Sequence, residues 1–315
     1  MDTTHTKRRR KKILIWFCTI LGVLVLGGSA YAYHVYSSVN QTLQSVHQPI
    51  RRDVPQKRPE PVEVAKKEPI SILLLGVDER SGDRGRGRSD SLMLVTANPN
   101  EKTTKLLSIP RDSYTEIVGK GKKDKINHAY AYGGTAMSLQ TVENFLNVPI
   151  DYYIEVNMEG FRDIVDAVGG VTVQNTRPFT YEEISFPKGE VRLNGTGALS
   201  YTRMRKEDPN GDFGRQERQR QVIQAVIQKG ASLSTLTHYD DILKAIQKHV
   251  RTNLKPDEML RMQKDYKDST DRIEQIQIPG EGKVINGVWY YVVTDETKKQ
   301  LSDQLRKHLE VAPGV

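Results

Sequence analysis

Two aspartates lie where they could hold a metal ion against a phosphate. Asp78 follows the apolar run ISILLLGV and Asp90 precedes the next apolar run, with eleven residues between them that include three glycines and four arginines. If the two runs form neighbouring strands, both carboxylates lie near one end of a sheet. Such a pair suits Mg²⁺, which takes one or two carboxylates and completes its shell with water and phosphate oxygens. Mn²⁺ is a chemically similar alternative, and a pair of ordinary turn aspartates is the alternative without a metal.

A second concentration of charge occupies residues 201–224, YTRMRKEDPNGDFGRQERQRQVIQ, which contain five arginines. Arg203 and Arg205 are two residues apart, so on a strand both side chains would project from one face. A helix is predicted to follow. One stripe on its surface is polar near the N-terminus and apolar further along, and it consists of Arg215, Gln219, Val222 and Val226. Arg218 borders this stripe. The pattern favours a partner with an anionic head and an apolar tail, because arginines at a helix N-terminus bind phosphate. The alternative is a surface helix whose arginines cover core residues, with both valines in the core.

The N-terminus carries most of the net charge and the signature of a membrane span. The chain of 315 residues has a formal net charge of +8, of which the first 69 residues account for +7. Residues 7–12 are KRRRKK, and residues 13–33 form an uncharged run of 21 residues, close to the ~20 that cross a bilayer as a helix. The excess of cations before the run predicts a cytoplasmic tail at residues 1–12. A cleaved signal peptide is the alternative to an anchor.

The rest of the chain is predicted to form a linker and one extracytoplasmic domain. Residues 34–69 are polar and contain several prolines, which is typical of a semi-rigid linker. In residues 70–315 apolar runs alternate with amphipathic stretches, which predicts an α/β fold, an α-β-α sandwich around a central mixed sheet. This part is almost neutral, so it lacks the basic surface of a nucleic-acid-binding domain. The single cysteine, Cys18, excludes an intramolecular disulfide.

Seven motifs follow one another over about residues 70–230. They are SILLLGVDER, GRSDSLMLV, LLSIPRD, KINHAYAYGG, GFRDIVDAVGGV, LNGTGALSYTRMR and GDFGRQERQRQV. In this order they resemble the LytR–CpsA–Psr family of Gram-positive cell-envelope proteins. The resemblance implies a sheet flanked by helices that encloses a polyprenyl tail. It also implies a Mg²⁺-dependent transferase at the outer face of the cell membrane. Such an enzyme moves an anionic glycopolymer, most simply wall teichoic acid, from undecaprenyl pyrophosphate to peptidoglycan and forms a phosphodiester.

The resemblance also implies roles for individual residues. Asp78 and Asp90 match the metal-associated aspartates of the family. The residues that match or lie within its pyrophosphate-binding motifs are Arg88, Arg111, Arg203, Arg205, Arg215, Arg218 and Gln219. The first two of these arginines are predicted to act at the reacting phosphate. The enclosed lipid tail is predicted to contact Val222 and Val226.

Three other functions stay open at this point. Water could replace the peptidoglycan hydroxyl, which would make the protein a polyprenyl-pyrophosphate hydrolase. The domain could instead bind the carrier without catalysis, or act as a membrane-tethered regulator. The general base is unassigned, since Asp112 suits a structural salt bridge beside Arg111 equally well. The acceptor glycan is predicted to contact the arginine-rich loop 80–88, and the segment 179–190, FTYEEISFPKGE, adds aromatic surface suited to sugars. Two mobile loops without any contact are the alternative.

Overall fold

The computed structural model describes residues 26, 29, 31, 33, 34, 36–50, 57, 58, 60–78, 87–230 and 239–313. The chain divides into two compact units, Met1–Ser45 and Val46–Val315. In the first unit residues 36–45 are helical. No helix within the described residues is both long and apolar enough to cross a membrane. The predicted span, residues 13–33, lies largely outside those residues.

The second unit contains strands and helices in alternation. Its strands are β1 (Ile70–Val77), β2 (Ser89–Asn98), β3 (Thr103–Ile109), β4 (Tyr114–Ile117), β5 (Lys122–Lys125), β6 (Tyr152–Asn157), β7 (Val171–Asn175), β8 (Phe179–Tyr181), β9 (Ile184–Phe186), β10 (Gly189–Leu193), β11 (Val250–Thr252), β12 (Arg272–Gln277), β13 (Glu281–Ile285) and β14 (Val288–Val292). Its helices are α1 (His128–Leu146), α2 (Met158–Ala167), α3 (Gly195–Arg203), α4 (Gly211–Gly230), α5 (Tyr239–His249), α6 (Pro256–Asp265) and α7 (Asp295–His308).

A six-stranded sheet forms the centre of this unit, in the order β11-β6-β1-β2-β3-β12. Strand β1 is antiparallel to β2 and parallel to β6, and β12 is parallel to β3. The predicted central mixed sheet is therefore confirmed. Because β1 lies between two strands and helices pack on both faces of the sheet, its sequence is almost continuously apolar.

Helices pack on both faces of the sheet. The odd-numbered residues of β1 face α1 and α7 in a core that includes Leu73, Leu75, Leu139 and Leu305. The opposite face of the sheet packs against α4 in a smaller cluster that includes Met93, Leu106, Ile223 and Ile227. The three layers of the predicted α-β-α sandwich thus follow from the alternation of side chains along the strands.

A second core lies beside the sheet, and it encloses aromatic residues that were predicted to face a glycan. Phe179 and Phe186 are cross-strand partners in the β8–β9 hairpin, with ring centroids 4.8 Å apart. Both rings also pack against Tyr201, at 5.5 and 5.4 Å, and Phe186 is only 1% exposed. These two phenylalanines therefore stabilise the fold, and the prediction that they form an exposed sugar-binding surface is wrong.

The predicted strand at Arg203 and Arg205 is also wrong, because Arg203 is the last residue of helix α3. The side chain of Asn194 caps this helix by accepting a hydrogen bond from the backbone N–H of Gly197 at 2.8 Å. Asparagine is a favoured N-cap residue, and it precedes a segment that contains good helix formers. Gly195 is required there, since a Cβ atom would lie 2.2 Å from the carbonyl oxygen of Arg162.

The described part of the predicted linker 34–69 packs on the domain from residue 46 onward. The backbone N–H of Gln48 donates to the carbonyl of Thr252 at 2.7 Å. The Nε of Arg58 lies 3.1 Å from a carboxylate oxygen of Asp151, and both side chains are largely buried. The domain boundary therefore lies closer to residue 46 than to the predicted residue 70.

The ion pair between Arg58 and Asp151 is expected to stabilise the domain. Replacing Arg58 with Ala leaves a buried carboxylate without its cation, which should lower the free energy of unfolding by about 3 kcal/mol. Urea denaturation of the full-length chain measures this change. The matched control is Lys66→Ala, which removes only an exposed pair with Glu63 and should have no measurable effect. Equal stability of the two variants would contradict the packing of this segment on the domain.

Candidate active site

Both predicted metal-binding aspartates lie at one end of the central sheet. The backbone N–H of Asp78 donates to the carbonyl of Arg88 at 3.1 Å, which extends the pairing of β1 with β2. Gly76 is opposite Ser91 while Val77 is opposite Ser89, so Asp90 is the extra residue of a β-bulge. A bulge redirects the side chain of its extra residue. The sequence therefore placed both aspartates correctly at the strand ends, but it gave no sign of the bulge.

Arg111 binds the Asp90 carboxylate. In the pairing of β2 with β3, Leu92 is opposite Ile109, so Asp90 and Arg111 face each other two residues further on. The Nη1 of Arg111 lies 2.7 Å from the Oδ1 of Asp90. Burial of the Arg111 guanidinium lowers its pKa, but the carboxylates of Asp90, Asp212 and Asp112 together outweigh this effect, and the pKa of Arg111 is raised.

Asp112 holds Arg111 in place from the other side. Its Oδ1 lies 2.6 Å from the Nζ of Lys125, and its Oδ2 lies 3.7 Å from the Nε of Arg111. Because both carboxylate oxygens contact cations, the structure favours the structural salt bridge over a general base for this residue.

Arg205 and Arg215 meet at a third carboxylate, that of Asp212. The Nη2 of Arg215 is 2.8 Å from the Oδ1 of Asp212, and the Nε of Arg205 is 3.5 Å from the same oxygen. Arg215 also donates to the backbone carbonyl of Asp90 at 3.4 Å, and it is only 8% exposed. Burial lowers the pKa of Arg215, Asp212 counteracts this effect, and the charge of Arg111 lowers the pKa further. Arg111, Arg205 and Arg215 are hereafter the arginine cluster.

Sequence reasoning did not include Asp212 in the site. Its position three residues before Arg215, in the first turn of α4, was the available signal, because residues i and i+3 of a helix are neighbours. Gln219, one turn after Arg215, accepts a hydrogen bond from the hydroxyl of Ser91 at 3.2 Å. The predicted polar part of the α4 stripe therefore does face the end of β2.

Two of the predicted arginines lie away from these contacts. Arg88 is exposed and is placed beside Asp78 by the backbone. Arg203 is exposed at the end of α3, with its Nη1 3.8 Å from a carboxylate oxygen of Glu182 and its Nη2 2.9 Å from the sulfur of Met158. The structure therefore joins only part of the predicted pyrophosphate-binding set in one cluster.

Arg218 is fully engaged by protein groups. Its guanidinium donates to the carbonyls of Tyr201 and Met204, at 2.9 and 2.5 Å, and to the carboxylate of Asp208 at 2.5 Å. These contacts join α4 to the end of α3 and to the loop that follows it. The position that was predicted to contact phosphate thus orients the segment that carries Arg205.

The two predicted tail contacts belong to the second core and not to the side of α4 that faces the sheet. Val222 is fully buried in the second core, and Val226 packs against it. The neighbouring residues Ile223 and Ile227 face the sheet and remain partly exposed. Residues spaced by four along α4 from Arg215 are Gln219, Ile223 and Ile227, and they lie on one side of the helix. Val222, three residues after Gln219, lies on the side that faces the second core. The predicted stripe therefore begins at residues that do lie together, Arg215 and Gln219, but it continues through the isoleucines and not through the valines.

Half-buried apolar side chains on β1 complete a strip next to α4. Ile72 and Leu74 point to the same face of the sheet as Met93 and Val95, and they are only partly covered. The strip begins at the end of the sheet that carries Asp90 and continues away from the arginine cluster. An anionic group and an apolar chain could therefore bind to adjoining surfaces.

The LytR_cpsA_psr family model matches residues 33–307. This chain belongs to the LytR–CpsA–Psr family. A Bacillus cereus protein named polyisoprenyl-teichoic acid–peptidoglycan teichoic acid transferase TagU is 60% identical over 303 residues, which cover 96% of this chain and 99% of that protein. The crystal structure of Bacillus subtilis TagU is 48% identical, with a TM-score of 0.63 over 78% of this chain and 99% of that one. A structure of TagT bound to LIIa-WTA is 33% identical, with a TM-score of 0.71 over 84% of this chain and all 100% of that one.

The contacts of Arg218 predict that its loss harms stability. Arg218→Ala leaves the Asp208 carboxylate buried without a cation and should lower the free energy of unfolding by about 3 kcal/mol. Thermal denaturation followed by circular dichroism measures this change. Arg203→Ala is the matched control, because Arg203 is exposed and its loss should hardly change the melting temperature. If Arg218→Ala kept its melting temperature and lost only activity, the phosphate contact predicted from the sequence would be correct.

Proposed function

We propose that this protein transfers teichoic acid from a polyisoprenyl pyrophosphate carrier to a hydroxyl group of peptidoglycan. The observation that carries the proposal is the arginine cluster at one end of a half-buried apolar strip. This arrangement fits an amphiphile with a pyrophosphate head and a polyisoprenyl tail. The name of the Bacillus cereus relative, at 60% identity, supports teichoic acid as the polymer and peptidoglycan as the acceptor.

The arginine cluster binds the pyrophosphate in this proposal. Each guanidinium carries five N–H donors in a planar fork that matches phosphate oxygens. Asp90 and Asp212 hold three guanidinium groups in a small volume, and burial restricts Arg215 in particular. Donors that are oriented before the substrate binds stabilise developing charge without reorganisation during the reaction.

The polyisoprenyl tail lies along the apolar strip. Four residues of α4 span about 6 Å, and two residues of a strand span about 7 Å. Every fourth residue of α4 therefore stays close to every second residue of β2. The pair Gln219 and Ser91 is therefore followed by Ile223 near Met93, which belong to one cluster. A chain bound between α4 and the half-buried residues of β1 starts at the phosphate site and continues over apolar surface only.

The reaction is a phosphoryl transfer. A peptidoglycan hydroxyl oxygen attacks the phosphorus that is joined to the teichoic acid, and the bond from this phosphorus to the bridging oxygen breaks. Polyisoprenyl phosphate leaves with the bonding electrons, the hydroxyl proton is released, and a phosphodiester to peptidoglycan remains. Negative charge develops on the bridging oxygen, where fixed guanidinium groups stabilise it.

Asp78 and Asp90 hold Mg²⁺ in this proposal, and the donor set supports it. Asp90 gives one carboxylate oxygen to Arg111, and Asp78 is exposed at the adjacent strand end. No cluster of three or more His, Cys, Asp or Glu side chains within the described residues could hold a metal alone. Two carboxylates suit Mg²⁺ when water and phosphate oxygens supply its other ligands. The bound ion would neutralise charge on the pyrophosphate.

The site also requires access to a membrane lipid. We propose that residues 13–33 anchor the chain and that the second unit lies outside the cytoplasmic membrane. The basic segment before the uncharged run supports this orientation. A lipid carrier in the outer leaflet of the same membrane can then reach the domain by diffusion within the membrane.

Transfer and hydrolysis give different products, which tests the main proposal. Full-length protein in detergent is given labelled lipid-linked teichoic acid with or without peptidoglycan oligomers. We expect label in the oligomers through a phosphodiester, and little release without them. Arg215→Lys keeps the charge but loses the planar fork, so kcat/KM should fall about tenfold or more. Release of free phosphorylated polymer at one rate in both reactions would identify a hydrolase.

Removal of the metal ion tests the second part of the proposal. Chelation with EDTA should abolish transfer, and added Mg²⁺ or Mn²⁺ should restore it. Asp78→Asn and Asp90→Asn keep the size of the side chain but remove its charge, so each should raise the Mg²⁺ concentration needed for half-maximal rate. Asp303→Asn, at an exposed pair with Lys299 on α7, is the matched control. Full activity of the wild type after chelation would exclude a metal role.

A further inference from the structure

The β13–β14 hairpin exposes a large aromatic side chain. Trp289 is 46% exposed, and its cross-strand partner Val284 is 65% exposed. Tryptophan carries a large apolar surface that is usually covered in the folded state. Its exposure next to a second uncovered apolar side chain therefore indicates a contact surface.

The indole ring is supported from behind by the neighbouring strand. A Cβ atom at Gly282 would lie 2.8 Å from the indole Nε1 and 3.0 Å from Cζ2 of Trp289. The ring thus lies against the backbone of β13, and a side chain at Gly282 would displace it. In the described part of the chain, each cation that lies over an aromatic ring contacts a ring other than that of Trp289. Because Trp289 is 46% exposed, the surface of the indole that faces away from Gly282 is available to a ligand.

The hairpin is joined to the candidate active site at its base. The backbone N–H of Tyr291 donates to the carbonyl of Asp112 at 2.9 Å, next to Arg111. The ring of Tyr291 packs edge to face on Phe213, at 5.4 Å, and Phe213 follows Asp212 in the first turn of α4. Side chains alternate along a strand, so Trp289 lies on the same face as Tyr291, about 7 Å along β14. Trp289 is therefore at the rim of the site that contains the arginine cluster.

We propose that Trp289 stacks on a sugar ring of the glycan substrate at the mouth of the site. This inference rests on the proposed transferase function, which requires sugars on both the donor and the acceptor. A pyranose ring has a flat face of C–H groups and a rim of hydroxyl groups. It can cover the indole while its hydroxyl groups stay hydrated, as amphipathic ligands do on aromatic surfaces.

A bilayer surface is the other partner that an exposed tryptophan could contact, and the hairpin favours the sugar. The supported ring faces the same side as Tyr291 and Phe213, which belong to the rim of the site. Val288, on the opposite face of the hairpin, is 43% exposed and lies away from this side. Insertion into lipid would bury side chains on both faces of the hairpin. Stacking on a sugar ring would bury only the face that carries Trp289. This difference makes Val288 a matched control.

Fluorescence tests the contact without requiring turnover. The chain has two tryptophans, Trp16 and Trp289, so Trp16→Phe leaves Trp289 as the only one. In full-length protein reconstituted in vesicles, soluble peptidoglycan oligomers or lipid-linked teichoic acid should shift and quench its emission. Lipids with brominated acyl chains should not quench it. Quenching by brominated lipid with no response to either glycan would overturn the proposal in favour of a bilayer contact.

Kinetics identify which sugar is bound. Trp289→Leu keeps apolar bulk but loses the flat ring, so KM for one glycan substrate should rise about tenfold, the order expected when one aromatic contact is lost. Trp289→Phe should recover most of this loss, and Val288→Thr should change neither KM. A rise in KM for the peptidoglycan oligomer places the acceptor on Trp289, and a rise for the lipid-linked substrate places the donor sugar there.

The outcomes separate this inference from the proposed function. If wild-type protein transfers teichoic acid but Trp289→Leu has unchanged KM values, the stacking proposal is wrong and the transferase proposal stands. If wild type shows no transfer while the sole tryptophan still responds to glycan, the binding surface stands and the reaction assignment fails.

Discussion

The position of α4 against the central sheet is the constraint on which the rest of the site depends. Arg220 fixes one side of this helix, because its guanidinium donates to Ser108 at 2.9 Å and to Gln275 at 3.1 Å, on β3 and β12. Arg218 fixes the other side through the end of α3. With both sides fixed, the first turn of α4 presents Arg215 to the end of β2 and later turns present apolar residues to the sheet. Arginines in this segment thus have two tasks in our proposal, since some orient the helix and others provide charge for a ligand.

Electrostatics explain why the arginine cluster is ready for an anion. The three guanidinium groups contact Asp90 and Asp212, while Asp112 is shared between Arg111 and Lys125. Burial lowers the pKa of Arg215, and the charge of Arg111 lowers it further. Arginine stays protonated in proteins despite such a shift, so the repulsion is retained as an unfavourable energy. A bound pyrophosphate would relieve this repulsion by adding its negative charge to that of the carboxylates. The carboxylates keep the donors oriented until then, which limits the reorganisation that binding requires.

The sequence predicted those features that follow from local patterns, and it failed where tertiary packing decides. The apolar runs around Asp78 and Asp90 were sufficient to place both aspartates at strand ends. The bulge at Asp90 depends on the register of two strands, which no local pattern shows. Val222 and Ile223 are adjacent and both apolar, so periodicity alone could not decide which of them faces the sheet. Phe179 and Phe186 form a cross-strand pair that packs on Tyr201, with Phe186 fully buried, although their segment has the composition of an exposed loop.

Arg111 and Asp112 connect the two sides of the site. Arg111 faces β2 and binds Asp90, on the side where α4 and the apolar strip would receive the lipid-linked donor. The carbonyl of Asp112 accepts from Tyr291, and its carboxylate binds Lys125, on the side of the two hairpins. A displacement of the β13–β14 hairpin must therefore act on the backbone that carries Arg111. Positioning of reactants contributes several kcal/mol to such reactions. In the proposed reaction, a glycan bound at the β13–β14 hairpin would therefore affect the geometry at the phosphate through Arg111 and Asp112.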